Sequence, residues 1–188
     1  MSPISTLAFA CASFVGSHFA LSHPLRGPLS GMMGEGAFRG LYSLVAFATF
    51  GWIIWAWLAV SATPPTYVVG DHGWIAASVV MWLASVLLAG SFFGNPAMPS
   101  PGASAMAMRN PLGVFAITRH PMMWSFALWA IVHMALWPTP ENHVLSTAIL
   151  ALALGGAAGQ DGKKARVMGD AWRGWCRRTS FFPFAGIF

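Results

Sequence analysis

The sequence predicts an all-α integral membrane protein: a bundle of about five transmembrane helices with a C-terminal amphipathic interfacial helix. Three observations lead there. Only 8% of the 188 residues are charged and 56% are hydrophobic, with a mean hydropathy of +0.62, whereas soluble domains carry roughly 25% charged residues. Apolar runs of membrane-crossing length recur, separated by short Gly- and Pro-rich breaks. Lysine and arginine fall only in alternate connections. With no internal repeat visible, residues 1–188 read as one transmembrane domain.

The first run, Ile4 to Leu21, lacks a basic start and a clear small-x-small cleavage pattern, so it reads as a retained helix rather than a signal peptide. His18 lies within it, about one turn from its end. A Gly/Pro-rich connection with Arg26 and Glu35 follows. The second helix is expected from Phe38 to Ala62, with Trp52, Trp55 and Trp57 towards its far end, where aromatic side chains favour the membrane–water boundary. Thr63-Pro64-Pro65 terminates it. The third runs from Trp74 to Phe93. Asn95 to Asn110 is a long interruption, of a length that in compact bundles is often functional or mobile. The fourth helix starts at Pro121, because proline at the first helical position loses no hydrogen bond. The fifth, Val144 to Gly159, is short for a span. From Asp161 to Arg178, Ala165, Met168, Trp172 and Trp175 recur at helical spacing among Lys163, Lys164, Arg166, Arg173 and Arg177. A basic, aromatic amphipathic helix suits an anionic leaflet rather than nucleic acid, or a cap over Arg119 and His120.

Arg26 and Arg39 flank the first connection, Arg109 and Arg119 the third, and the remaining cations sit in the tail. The second and fourth connections hold only Asp71 and Glu141 as charged groups. Five spans with the N-terminus outside place every basic segment in the cytoplasm. A bacterial inner membrane, or one like it, with a cytoplasmic C-terminus, is the expected location.

Ionisable groups inside membrane-length segments are rare and usually face a cavity or a partner. Ile117 to His133 therefore anchors the functional reading. Arg119, His120 and Pro121 open a run with no formal charge, and His133 lies deep within it. Arg119 and His120 also suit a plain role as interfacial anchors, with His133 bonded to a backbone carbonyl. Two histidines on different helices, among Phe, Trp and Met, are the minimum for holding a haem iron at both axial positions, with arginines to neutralise the propionates. Five acidic residues speak against a carboxylate-rich site for a hard cation. Gly-rich phosphate loops, HExxH and nucleophile elbows are absent. Cys11 and Cys176, at opposite ends, form no CxxC motif and resemble no disulfide framework.

Several segments in one order resemble the NnrU family, whose relatives include the 15-cis-zeta-carotene isomerases. They are Gly16-Ser17-His18, Gly34-Glu35 leading into Phe38-Arg39-Gly40-Leu41-Tyr42-Ser43-Leu44-Val45, and Ile117-Thr118-Arg119-His120-Pro121. Leu128-Trp129-Ala130, His133, Arg178-Thr179-Ser180 and Pro183-Phe184-Ala185 complete the set. The resemblance implies haem b held by His18 and His133; Arg39, Arg119 and His120 are further cofactor-binding candidates from their charge and place alone. It also implies cis–trans isomerisation of an apolar polyene when the iron is reduced, which needs an electron donor. Where the isomerases carry a cysteine three residues before the second histidine, this chain has Ala130, so ligand exchange onto sulfur is excluded there. The family's Asn-Gly-Asp after that histidine is replaced by Trp137-Pro138-Thr139-Pro140-Glu141-Asn142. NnrU proteins also resemble proteins tied to nitrite and nitric oxide metabolism.

Two further readings stay open. Arg-His-Pro opening a membrane helix before a basic tail also resembles membrane S-adenosylmethionine-dependent methyltransferases of the isoprenylcysteine and phospholipid type. Their paired glutamates are missing here, where only Asp161 precedes Lys163-Lys164. Depth is the other issue. From a start at Pro121, His133 lies about 18 Å along its helix, while His18 is about 6 Å from the end of its own. His120 matches His18 better in depth and is the reserve ligand.

Overall fold

The computed structural model describes residues 1–186, and every regular element among them is a helix. Eight are present: α1 (Pro3–Ser22), α2 (Arg26–Leu58), α3 (Asp71–Gly90), α4 (Ala103–Met108), α5 (Val114–Ile117), α6 (Pro121–Leu136), α7 (Pro140–Met168) and α8 (Asp170–Arg178). Four of them, α1, α2, α3 and α7, are long and apolar enough to cross a membrane. At 16 residues α6 is shorter; it spans about 24 Å at ~1.5 Å per residue, below the ~30 Å of a hydrocarbon core. By length alone the expected five crossings become four plus one short apolar helix.

Proline and its neighbours decide where the helices begin. Pro3 follows Ser2, whose Oγ accepts the Ser5 N–H at 3.2 Å, so α1 starts as a capped helix within a residue of its expected bounds. The expected connection before Phe38 is instead helical. The first limb of α2 opens at Arg26 and tolerates Pro28 because a first-turn proline loses no hydrogen bond. Gly34, at φ 81, breaks the helix in two, and Arg26 bridges the break to Glu35 at 2.9 Å. Likewise α7 opens at Pro140, four residues before Val144. Thr139 caps it, its Oγ1 accepting the Asn142 N–H at 3.4 Å, and Glu141 complements the dipole of the first turn.

The chain divides into two compact units, with the division falling inside α6 and inside α7. Unit 1 comprises residues 1–70 and 133–152. Its core is Leu7, Ala10 and Cys11 of α1 against Ile53 and Ala56 of α2, with Val144, Leu145 and Ala148 of α7 packed on it. Ala10 and Ala56 are fully buried, since small side chains let membrane helices approach closely. Unit 2 comprises residues 71–132 and 153–188, described to Gly186. Its core joins Leu87, Ala97, Ala107, Val114, Phe115, Trp172 and Trp175.

The long interruption after α3 is packed and partly helical. Asn95 bridges Ser91 O (3.0 Å) and Ala97 N (2.9 Å). From α7, Gln160 and Lys164 donate to the carbonyls of Ala97 (3.2 Å) and Pro96 (3.2 Å). Gly90 is required where α3 meets α5: a Cβ there would lie 2.5 Å from Val114 Cγ1.

The tail departs from a single helix over Asp161 to Arg178. Residues 161–168 continue α7, Gly169 turns the chain at φ 55, and α8 starts at Asp170. Trp172 and Trp175 are buried in the unit 2 core. The aromatic face of α8 is therefore covered by protein, while Arg173, Arg177 and Arg178 stay exposed.

Candidate functional site

The Arg119-His120-Pro121 segment builds a buried ionic cluster in unit 2. Thr118 ends α5 in extended backbone, and Pro121 starts α6, so Arg119 and His120 stand at the junction between the two helices. Arg119 grips Asp161 of α7 with two nitrogens, Nη2–Oδ2 at 2.6 Å and Nε–Oδ1 at 3.1 Å. His120 donates its Nε2 proton to Asp161 Oδ1 at 2.9 Å. The His120 side chain is fully buried, and Arg119 and Asp161 retain only 14% and 21% exposure. Such a pair is costly to break, because the survivor is left charged and poorly solvated.

The segment after α8 is strapped over this cluster. Arg119 N donates to Ser180 O at 2.8 Å and Phe184 N to Ile117 O at 2.9 Å. Thr118 Oγ1 and Trp124 Nε1 both donate to Phe181 O at 2.7 Å. The Phe181 ring meets the His120 ring at 5.4 Å and lies 5.3 Å from the Arg119 guanidinium carbon. Ile117–Pro121 and the Thr179–Ala185 tail, far apart in sequence, are thus one piece of structure. Nearby Cys176 is half-buried, and burial pushes its thiol up, which keeps it protonated and unreactive.

His18 and His133 both belong to unit 1. His18 Nδ1 donates to Phe14 O at 2.8 Å. A carbonyl can only accept, so Nδ1 carries a proton, and in the neutral ring the lone pair stands on Nε2. Metal-bound histidines are held in this manner, one ring nitrogen anchored by a carbonyl and the other left to the metal. Phe14 (4.2 Å) and Tyr42 (5.5 Å, edge-on) flank the ring. His133 is half-buried three residues before the end of α6, and its carbonyl accepts Asn142 Nδ2 at 2.7 Å. Arg39 is largely exposed on α2, with a loose 3.7 Å approach to Glu35.

The structure therefore draws Arg119 and His120 together with Asp161 and anchors His18 through Nδ1 to Phe14 O. In the sequence Asp161 reads as the first residue of a surface helix, and its partner His120 stands 41 positions earlier in the chain. Asn142 was legible only as a departure from a motif. Among the described residues, no three or more His, Cys, Asp or Glu gather as a site for a metal ion.

Comparison with known proteins agrees with the motifs carried by these elements. No solved structure matches. The 15-cis-zeta-carotene isomerase, chloroplastic, of Arabidopsis thaliana is 38% identical over 79 residues, 40% of this chain. The match spans 21% of that protein's length. The NnrU protein family model matches residues 6–188, from the α1 that bears His18 to the tail strapped over Arg119, and the chain belongs to the NnrU family.

Proposed function

We propose that this chain is a haem b-binding membrane protein that acts as a redox-dependent cis–trans isomerase of a carotenoid-like polyene, with His18 and His133 as the residues that would hold the haem iron. The observation that carries the reading is the 38% identity to a carotene isomerase within a chain of the NnrU family. The donor set fits. A bare ion would need more side-chain ligands than any described cluster offers. An iron already held by a macrocycle needs two imidazoles, and His18 has a ring anchored at Nδ1 with the neutral-form lone pair on Nε2.

Haem, when bound, would supply redox-active iron chemistry. The remaining roles belong to the chain. A neutral polyene offers no group to protonate or attack, so an apolar slot and exclusion of water are what the protein must provide. Arg39 is the propionate counter-ion in this reading. Arg119 and His120, committed to Asp161, hold unit 2 instead. α6 makes the fifth crossing, α8 lies at the cytoplasmic surface, and the N-terminus is outside in a bacterial inner membrane or one like it. The partners are the bilayer, an apolar polyene and an electron donor.

The test begins with colour. Protein purified in mild detergent is expected to show a Soret band that shifts with dithionite. His18→Ala and His133→Ala should each lose haem or turn a six-coordinate spectrum five-coordinate, while His23→Ala and His143→Ala leave it unchanged. Reduced, but not oxidised, protein should convert 15-cis-zeta-carotene, followed chromatographically. No conversion by fully loaded protein removes the isomerase reading. Ala130, fully buried and without a sulfur, favours a second reading in that case: an NnrU haem protein serving nitrite or nitric oxide metabolism. Colourless protein that binds S-adenosylmethionine would point to a methyltransferase.

A further inference from the structure

We infer that Asn142 is a positioning residue for His133, clamping the last turn of α6 so that the histidine is presented in one orientation; this rests on the functional reading above. Helix α6 ends at Leu136, and its final carbonyls have no intrahelical partners. In a bilayer, unmet carbonyls must be satisfied by protein. The side-chain amide of Asn142 does this for Trp137 O and adds a second donor to His133 O, each at 2.7 Å. Both targets are carbonyls, so the amide has one possible orientation. Its Oδ1 then accepts the Ser146 hydroxyl at 3.2 Å.

Asn142 is 6% exposed and Ser146 fully buried, so water does not compete. Trp137 N adds the helical bond to His133 O at 3.0 Å, and both lone pairs of that carbonyl are filled. The surrounding turn is held from the segment after α2. Thr66 N donates to Pro138 O at 3.1 Å, Tyr67 Oη to Ala135 O at 3.1 Å, and Thr63 Oγ1 to the buried Glu141 carboxylate at 2.8 Å. Of these side chains, that of Asn142 is bonded to the backbone of the residue that carries the ligand imidazole. A short polar side chain locked on the backbone of a ligand residue fixes the tilt of the ring without touching it.

The experiment uses full-length Asn142→Leu, which keeps the volume and removes the amide, beside Thr63→Val as a control within the same polar turn. In haem-free protein, amide exchange at Trp137 should quicken about five- to tenfold in Asn142→Leu, the factor a hydrogen bond or two is worth, and stay as wild type in Thr63→Val. In loaded ferric protein, Asn142→Leu should shift the low-spin electron paramagnetic resonance g values, which report the ring orientation, while Thr63→Val leaves them in place. Unchanged exchange overturns the clamp. Faster exchange with unchanged g values overturns the positioning role and leaves a plain helix cap. Wild-type protein that takes up no haem overturns the functional reading itself, which the exchange result separates from failure of the clamp. If Asn142→Leu does not fold, Ser146→Ala removes only the hydroxyl that orients the amide and is read the same way.

Discussion

Asp161 carries two cationic-capable partners, Arg119 and His120, on one carboxylate, so its loss is felt at both. Removing it strands Arg119 and His120 in a site where His120 has no exposure and its Nδ1 is already without a partner among the described residues. Asp161→Asn keeps the shape and one acceptor oxygen, so the loss is mainly of charge. We expect Asp161→Asn to cost about 2 kcal/mol and Asp161→Ala about 3 kcal/mol, the latter near the low end for a broken buried pair because both charged side chains keep some exposure. Thermal unfolding in detergent measures it. Equal melting of both variants and wild type would mean the cluster is a bystander. Arg119→Lys should resemble Asp161→Asn, since lysine cannot make the two-nitrogen contact.

Among the elements, the α3–α5 crossing gives the sharpest expectation. A methyl group at position 90 meets Val114 at 2.5 Å, and α5 has only four residues with which to adjust. Gly90→Ala should destabilise by about 1–3 kcal/mol, the usual cost of overpacking, and Val114→Ala on top of it should recover most of that loss. Recovery that fails to appear would place the strain elsewhere. The same elements explain what could be read beforehand. α1, α3 and the start of α6 were legible because apolar runs met clear stops or a proline start. The first limb of α2 and the opening of α7 were missed for one reason: Pro28 and Pro140 stand in first turns, where they look like loop residues but break nothing. The tail was half legible. Spacing placed Trp172 and Trp175 on one face of a helix, but periodicity does not say whether that face meets lipid or protein. Arg119 and His120 stand out in the sequence as polar groups opening an apolar run, whereas Asn142 and Asp161 act through contacts that no local pattern announces.

Across the whole molecule, the outward surface is that of a protein solvated by lipid. Leu44, Phe47, Trp55 and Leu58 of α2 and Ile75, Val79 and Trp82 of α3 are all exposed, far more apolar surface than a water-soluble monomer shows. How many helices cross decides where the ends lie. Five crossings put the two termini on opposite sides and four put them on the same side, so reporters fused at each end settle the part played by α6. We expect the C-terminal fusion to be active as a cytoplasmic reporter and the N-terminal one as an external reporter. Matching sides would leave α6 as a helix that does not cross. The interleaving of the units has a consequence in time as well. Unit 1 takes residues 133–152 after unit 2 has begun, and unit 2 waits for Ser180 to Phe184 to cover Arg119. At synthesis rates of about 5–20 residues per second, Arg119 and His120 leave the ribosome several seconds before their cover does. During that interval a nascent chain holds two polar side chains at the mouth of an apolar helix with nothing over them, a state that insertion machinery and quality-control proteases can meet.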